Sequence, residues 1–283
     1  MKTYIDCIPC FMDQALRAGR IATKDEAKIK ELLNSVGCLI KDIPMESTPP
    51  ETGDIIYREV SRITGISDPY KEIKKANIKE ALALYPDLKE MVKASENSLL
   101  TAIRIAIAGN VIDLGVNKEF DLIEDIKTIL KQDFAIFHFN EFAEALSKAK
   151  SILYLGDNAG ESVFDKILIE EMGRPVTYAV RDIPVINDVT YKDAIASGLK
   201  EVAEIISSGT TAPGTILHTC NPTFLKKFNH ADMVISKGQG NYEGLSNTDR
   251  SVFFLLKAKC RVIANDLYVN VNDIILKANH YKF

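Results

Sequence analysis

The sequence predicts an α/β protein, with a helical N-terminal part followed by a core built on a parallel β-sheet. Three observations carry that prediction. From Lys24 to Leu114 the apolar residues recur at helical spacing. From residue 151 onward, short β-branched runs alternate with amphipathic stretches: Ile152–Leu155, Val176–Val180, Val202–Ile206, Met233–Ile235 and Val262–Ala264. Such alternation is the signature of a parallel sheet with right-handed crossovers. The first of these runs ends in Gly156-Asp157-Asn158-Ala159-Gly160-Glu161, and Val163, Phe164, Ile167, Leu168 and Met172 then mark a helix. A strand, a polar turn and a helix N-terminus in that order deliver backbone N–H groups and acidic side chains to one spot.

At 283 residues, with 46% apolar and 26% charged residues, the chain has the composition of a globular protein with a sizeable core. A net charge of −4 gives no electrostatic case for a nucleic-acid or anionic-membrane partner. No apolar run is long enough to span a bilayer, and Asp6 and Cys7 interrupt any signal-peptide core, so a cytoplasmic location is expected. Five cysteines, an odd number, argue against a complete disulfide framework.

In chain order, Cys7-Ile-Pro-Cys10 opens a helix through Phe11, Ala15, Leu16 and Ala18. This pair has three readings: half of a metal site completed by distant cysteines, a redox pair, or small residues packing at helical spacing. Ala27, Leu32, Leu33 and Val36 mark the next helix, Pro49-Pro50 a loop, and Ile55 to Ile63 another helix closed by Gly65. A helix follows from Pro69 towards Leu84, and Pro86 is expected to start a longer one. That one ends in the nearly all-apolar stretch Leu99–Ala108, which reads as buried and central. Beyond it, Asn110 and Asp113 either cap the helix or face a cleft. The division expected is 1–115 as helical subdomain, 116–150 as helical connector and 151–283 as the core, all one integrated unit.

The strand ends gather chemistry. After the first come Asp157, Asn158 and Glu161, then Arg181, Asp182, Asn187 and Asp188 after the second. The third delivers Ser208-Gly209-Thr210, the fourth Lys237-Gly238-Gln239-Gly240-Asn241, and the fifth Asn265 and Asp266. In a parallel sheet these lie on one edge. Two aspartates and an asparagine are hard oxygen ligands suited to Mg²⁺ or Mn²⁺. Hydroxyls, turn N–H groups and a lysine suit a phosphate. Taken alone, Asp157-Asn158 also fits a turn-and-cap pair in an exposed turn. No P-loop, dinucleotide fingerprint or nucleophile elbow is present.

Gly156-Asp157-Asn158-Ala159-Gly160-Glu161, Asn187-Asp188 and Ile235-Ser236-Lys237-Gly238-Gln239-Gly240-Asn241-Tyr242-Glu243 resemble the metal-dependent damage-control phosphatases. The shared domain of that family is also called the acidic-residue-methyltransferase-like metal-binding domain. Cys7-Ile-Pro-Cys10 and Ala108-Gly109-Asn110-Val-Ile-Asp113 resemble its prokaryotic branch. The resemblance implies a Rossmann-like three-layer α/β/α core with a helical N-terminal subdomain. It implies a divalent ion (Mn²⁺, Co²⁺, Ni²⁺ or Mg²⁺) held by Asp157, Asn158 and Asp188, and a phosphate met by Lys237 and the loop Ser208-Gly209-Thr210. The expected activity is hydrolysis of small phosphorylated metabolites, with Glu161 orienting water, shuttling a proton or capping a helix. Direct attack by Asp157 ranks below attack by water. Two rivals are an S-adenosylmethionine-dependent carboxyl methyltransferase and a non-catalytic metabolite-binding module.

Overall fold

The computed structural model describes residues 1–109 and 122–280. Five helices open the chain: α1 (Cys7–Ala22), α2 (Glu26–Ile40), α3 (Pro49–Thr64), α4 (Lys71–Lys93) and α5 (Ser98–Ala108). Next come α6 (Leu122–Lys131), β1 (Phe134–Phe137), α7 (Phe139–Lys148), β2 (Ile152–Leu155), α8 (Ser162–Met172) and β3 (Val176–Val180). They are followed by α9 (Tyr191–Ala196), β4 (Glu204–Ser207), α10 (Pro222–His230), β5 (Met233–Lys237) and α11 (Gly238–Leu245). The last elements are β6 (Val252–Lys257), α12 (Arg261–Leu267) and β7 (Ile274–Asn279).

Among the described residues the strands form one seven-stranded sheet in the order β1-β7-β6-β5-β2-β3-β4. The pairs from β6 through β5, β2 and β3 to β4 are parallel, as is β1 with β7, while β6 and β7 run antiparallel. From β2 the chain steps outward to β3 and β4, then returns to place β5 on the other side of β2. The carboxyl ends of β2 and β5 therefore flank a topological switch point, where open α/β sheets bind ligands. One apolar layer, including Ile105, Phe164, Leu168 and Ile235, packs α4, α5 and α8 on one face. A second, including Phe224, Phe228, Leu245 and Ile263, packs α10, α11 and α12 on the other. A third core, with Phe11, Leu32, Ile56 and Val60, belongs to α1, α2 and α3. The expected three-layer α/β/α core with its helical N-terminal part is present.

Several local expectations change. Val262–Ala264 is helical, inside α12, because Ile263, Ala264 and Leu267 turn a common buried stripe against the sheet. Asn265 and Asp266 therefore leave the set of strand ends. The missing strands are β6 and β7, two consecutive apolar runs, and β1, which interrupts the 116–150 stretch expected to be helical. The β6–β7 pairing makes the sheet mixed rather than wholly parallel. Pro49 and Pro50 occupy the first turn of α3, where a missing N–H costs nothing, and Thr48 and Glu51 form a capping box on either side of them. Pro86 lies inside α4 instead of starting a helix. The break comes at 94–97, where Asn97 accepts a bond from Leu100 N–H and starts α5. Asn110 and Asp113 lie outside the described residues.

Candidate active site

The carboxyl end of β2 is held open by its neighbours rather than by its own turn. Asp157 O accepts from Val189 N–H and Asn187 O from Ala159 N–H, each at 2.8 Å, which pairs the turn with residues 187–189. Asn158 and Asp188 thus face each other across a short antiparallel bridge. The Asn241 carboxamide donates to Gly156 O at 3.0 Å and to Lys237 O at 2.8 Å, tying the ends of β2 and β5 together. Gly156 leaves no room for a side chain, since a Cβ there would stand 2.5 Å from the Tyr178 hydroxyl. Gly238 has φ +77° and packs so closely that its Cβ would lie 1.9 Å from Asp157 Oδ2. Glycine is required there both for the left-handed backbone and for the approach of the carboxylate.

Asp157 is therefore not in an exposed turn. It is 8% exposed and Asp188 is 3% exposed, both at the floor of a cleft. Asn158 Nδ2 donates to Asp157 Oδ2 at 3.2 Å and to Glu161 Oε2 at 3.1 Å. Arg181, fully buried, donates through Nε to Asp188 Oδ2 at 2.7 Å and through a terminal nitrogen to Asn241 Oδ1 at 3.0 Å. Beneath this floor, Lys237 donates to Ala106 O at 2.7 Å, to Glu161 and to Asp165 Oδ1 at 2.6 Å. Asp165 also accepts from the Tyr154 and Tyr178 hydroxyls, each at 2.7 Å. A lysine ammonium has three protons, and all three are directed at these acceptors.

The charge balance of this interior is informative. Four buried carboxyl groups (Asp157, Glu161, Asp165 and Asp188) accompany two buried cations (Arg181 and Lys237), while Lys259 and Lys74 also act on Asp157 and Asp188 respectively. Burial, then the charges of Asp188 and Glu161, push the Asp157 carboxyl up to about 8. Burial also raises Asp188 and Asp165, although Arg181 and Lys237 respectively oppose it. For Lys237 burial acts downward, but Asp165 and Glu161 outweigh it and the ammonium is stabilised. A divalent cation would displace the protons that these raised acids hold and offset their mutual repulsion. The donor set fits: two carboxylates and an amide oxygen suit a hard ion that keeps several waters. Among the described residues no three His, Cys, Asp or Glu side chains converge on one ion position, so water would complete the shell.

Above the floor the cleft encloses about 770 Å³ and is walled on the far side by α1, α3 and α4. Asp157, Asn158 and Asp188 line it together, as the sequence predicted, whereas Glu161 and Lys237 lie one layer below. Ser208, Gly209 and Thr210 are not brought to the lining, and Pro213 is what that segment presents. Ser208 Oγ donates to Val180 O, and Thr219 donates to Thr210 Oγ1. Three thiols also share the cleft: Cys7, Cys10 and Cys260. Cys7 is buried in the N-terminal core and Cys10 is exposed. Ile186, a β-branched residue at φ 45°, lines the cleft two positions before Asp188, so backbone strain accompanies the site.

Sequence reasoning assigned no role to Arg181, Asn241 or Asp165. For Asp165 a signal existed, because it shares a stripe with Leu168, Ile169 and Met172 and sits four residues after Glu161. An acid on the apolar stripe of a helix, i+4 from another acid, needs a buried cation.

A family model described as the damage-control phosphatase ARMT1-like domain matches residues 3–275. An uncharacterised Methanocaldococcus jannaschii protein is 35% identical, the alignment covering 98% of this chain and 95% of that one. A damage-control phosphatase of Pyrococcus horikoshii is 34% identical over the full length of both, and one of Archaeoglobus fulgidus 32% identical over 98% and 99%. The crystal structure of a DUF89 family protein from Pyrococcus horikoshii superposes with a TM-score of 0.90 at 32% identity, covering 99% of each chain. Among the described residues no helix is long and apolar enough to cross a membrane. The strand-end acids, the switch-point cleft and these matches agree: the chain belongs to the family of ARMT1-like damage-control phosphatases.

Proposed function

We propose that the protein hydrolyses phosphomonoesters of small metabolites with the help of a divalent ion held by Asp157, Asn158 and Asp188. The observation that carries this reading is the packing of buried acids at the cleft floor, where burial and neighbouring carboxylates push Asp157 and Asp188 upward. Bound there, a divalent ion would supply Lewis acidity toward a phosphoryl oxygen and lower the pKa of water.

The residues of this chain divide the remaining work. Arg181 fixes the Asp188 carboxylate through its Nε and, through Asn241, ties it to the ends of β2 and β5. Glu161 accepts from Asn158 Nδ2 and so orients the carboxamide. Lys237 holds Glu161 and places a fixed positive charge under the floor, where negative charge develops on the phosphoryl oxygens during transfer. Ser208, Gly209 and Thr210 take a supporting part, since their polar groups bond to Val180, Ser207 and Thr219. The cleft volume leaves room for the alcohol part of a metabolite.

The test is hydrolysis of p-nitrophenyl phosphate by chelator-stripped protein, with Mn²⁺, Co²⁺, Ni²⁺ and Mg²⁺ returned one at a time. Turnover is expected only with metal, and Asp188→Ala should lower it on the order of a hundredfold or more. Metal-independent turnover, or full activity in Asp188→Ala, overturns the reading. Absence of turnover with every metal would favour the binding-module or methyltransferase alternatives.

A further inference from the structure

Cys7-Ile-Pro-Cys10 takes no part in the chemistry of the acid floor, yet both thiols line the cleft, with Cys260 as a third. A structural metal site would need further ligands, and among the described residues no three His, Cys, Asp or Glu side chains converge on one ion position. Packing at helical spacing accounts for Cys7, which is buried in the N-terminal core with Phe11 and Ala15. It does not account for Cys10. That residue is exposed, and its sulfur accepts from Gln14 Nε2 at 3.2 Å.

One helix turn holds the pair within reach of each other. Cys7 is the first residue of α1. Residues three apart in a helix have Cα atoms about 5 Å apart, inside the roughly 4.4–6.8 Å that a disulfide spans. Pro9 costs the turn nothing, because N–H groups at a helix start have no partner within the helix. Bonds from Cys7 N–H to Tyr4 O at 2.9 Å and from Ile8 N–H to Ile5 O at 3.0 Å anchor the turn from outside. The two thiols differ in access: a molecule in the cleft reaches Cys10, whereas burial, the largest influence, raises the Cys7 thiol. Cys260 belongs to another element, the cap of α12, and its sulfur accepts from Gln239 Nε2 at 3.6 Å. Cys220 is pushed up to about 12 by burial and donates to Ile216 O, so it stays a thiol.

We infer that Cys7 and Cys10 form a dithiol–disulfide couple that exchanges with low-molecular-weight disulfides entering the cleft. The thiolate of Cys10 attacks one sulfur of the small disulfide RSSR, giving a mixed disulfide and releasing the first thiolate, which takes up a proton. Cys7 then gives up its proton, attacks the Cys10 sulfur and expels the second thiolate. The protein loses two electrons and two protons as the Cys7–Cys10 bond forms, and RSSR is reduced to two RSH. Excess thiol runs the same steps backward. The couple is independent of the phosphatase reading, since it uses none of the floor residues.

The experiment uses the full chain carrying Cys38→Ser, because Cys38 is exposed on α2 outside the cleft and would react by itself. The folded protein is incubated with glutathione disulfide, quenched in acid, alkylated and mapped by peptide mass spectrometry. Cys7 and Cys10 should lose their thiols together, retain no glutathione, and return to thiols with dithiothreitol. Cys7→Ala should trap one glutathione on Cys10. In Cys10→Ser, Cys7 should react at least about tenfold more slowly than Cys10 does in the parent, being buried and raised. Cys260→Ser should leave the couple intact. A stable glutathione on Cys10 beside a free Cys7, a bond from Cys10 to Cys260, or no reaction at Cys10 would overturn the couple. These three outcomes are read on the parent protein, so they decide even where Cys7→Ala disturbs the core. Every readout is a thiol, so a failed phosphatase assay leaves the couple standing, and a failed couple leaves the phosphatase reading standing.

Discussion

At the level of single residues the site is an arrangement of acids that the protein tolerates at a cost. Asp157 lies against Gly238, faces Asp188 and shares Asn158 with Glu161, and its carboxyl is pushed up to about 8 by burial and these neighbours. Above pH 8, where Asp157 is ionised, removing its negative charge should relieve the metal-free protein, and the comparison is made at pH 9. Asp157→Asn is therefore expected to raise the urea midpoint of the metal-free protein, by the equivalent of about 1 kcal/mol, while abolishing Mn²⁺ binding measured by calorimetry. A lower midpoint would mean that the carboxylate has a structural role the charge balance does not capture. Gly238→Ala tests the same contact from the other side. The added methyl meets Asp157 Oδ2 and the backbone is left-handed, so stability should fall by more than the ~1 kcal/mol of an ordinary left-handed glycine replacement. Metal affinity should fall with it.

At the level of elements, the features readable in the sequence were those set by local chemistry. The β2 turn announces itself because Gly156-Asp157-Asn158-Ala159-Gly160-Glu161 has few uses other than a polar turn before a helix, and α8 follows it. The strands β6 and β7 were not legible because Phe253, Phe254, Leu255 and Leu256 are buried on both sides and show no alternation. Val262–Ala264 misled in the opposite sense, as a β-branched start to what tertiary packing makes a helix. Pro86 misled because one lost bond to an exposed turn is cheap when a long helix packs on both sides of it. Of the site, Asp157, Asn158 and Asp188 were legible from residue type and position. The buried partner Arg181 was not, because burial of a charge depends on strands and helices distant in sequence, whereas Asp165 carried a local signal in its place on the apolar stripe of α8. The α3 entry offers a local test. Thr48 caps through a box with Glu51, so Thr48→Ala should lower stability by about 1 kcal/mol without altering metal binding, read from chemical denaturation and calorimetry.

For the whole molecule, metal and pH should be linked through the same acids. Carboxyls titrate near 4 in the unfolded chain, but in the folded metal-free protein Asp157 is raised to about 8 and Glu243, also by burial, to about 7. Between those limits the folded state holds more protons than the unfolded state. The stability they contribute is thus fully present below pH 4 and is lost as pH rises through 7 and 8. With other groups constant, chelator-stripped protein should melt at a lower temperature at pH 8 than at pH 6. Mn²⁺ should reverse the trend: an ion binding only the folded state adds about 2.7 kcal/mol at a hundred times its dissociation constant. Its effect should grow with pH, because the ion competes with the proton for Asp157 and Asp188. Thermal scans at pH 6, 7 and 8, with and without Mn²⁺, give the comparison, and Asp157→Asn should flatten the pH slope of the metal-free protein. A metal-free protein whose melting temperature rises from pH 6 to pH 8 would show that the buried acids are compensated from within the chain. The charge argument for a divalent ion at the head of β2 would then fail.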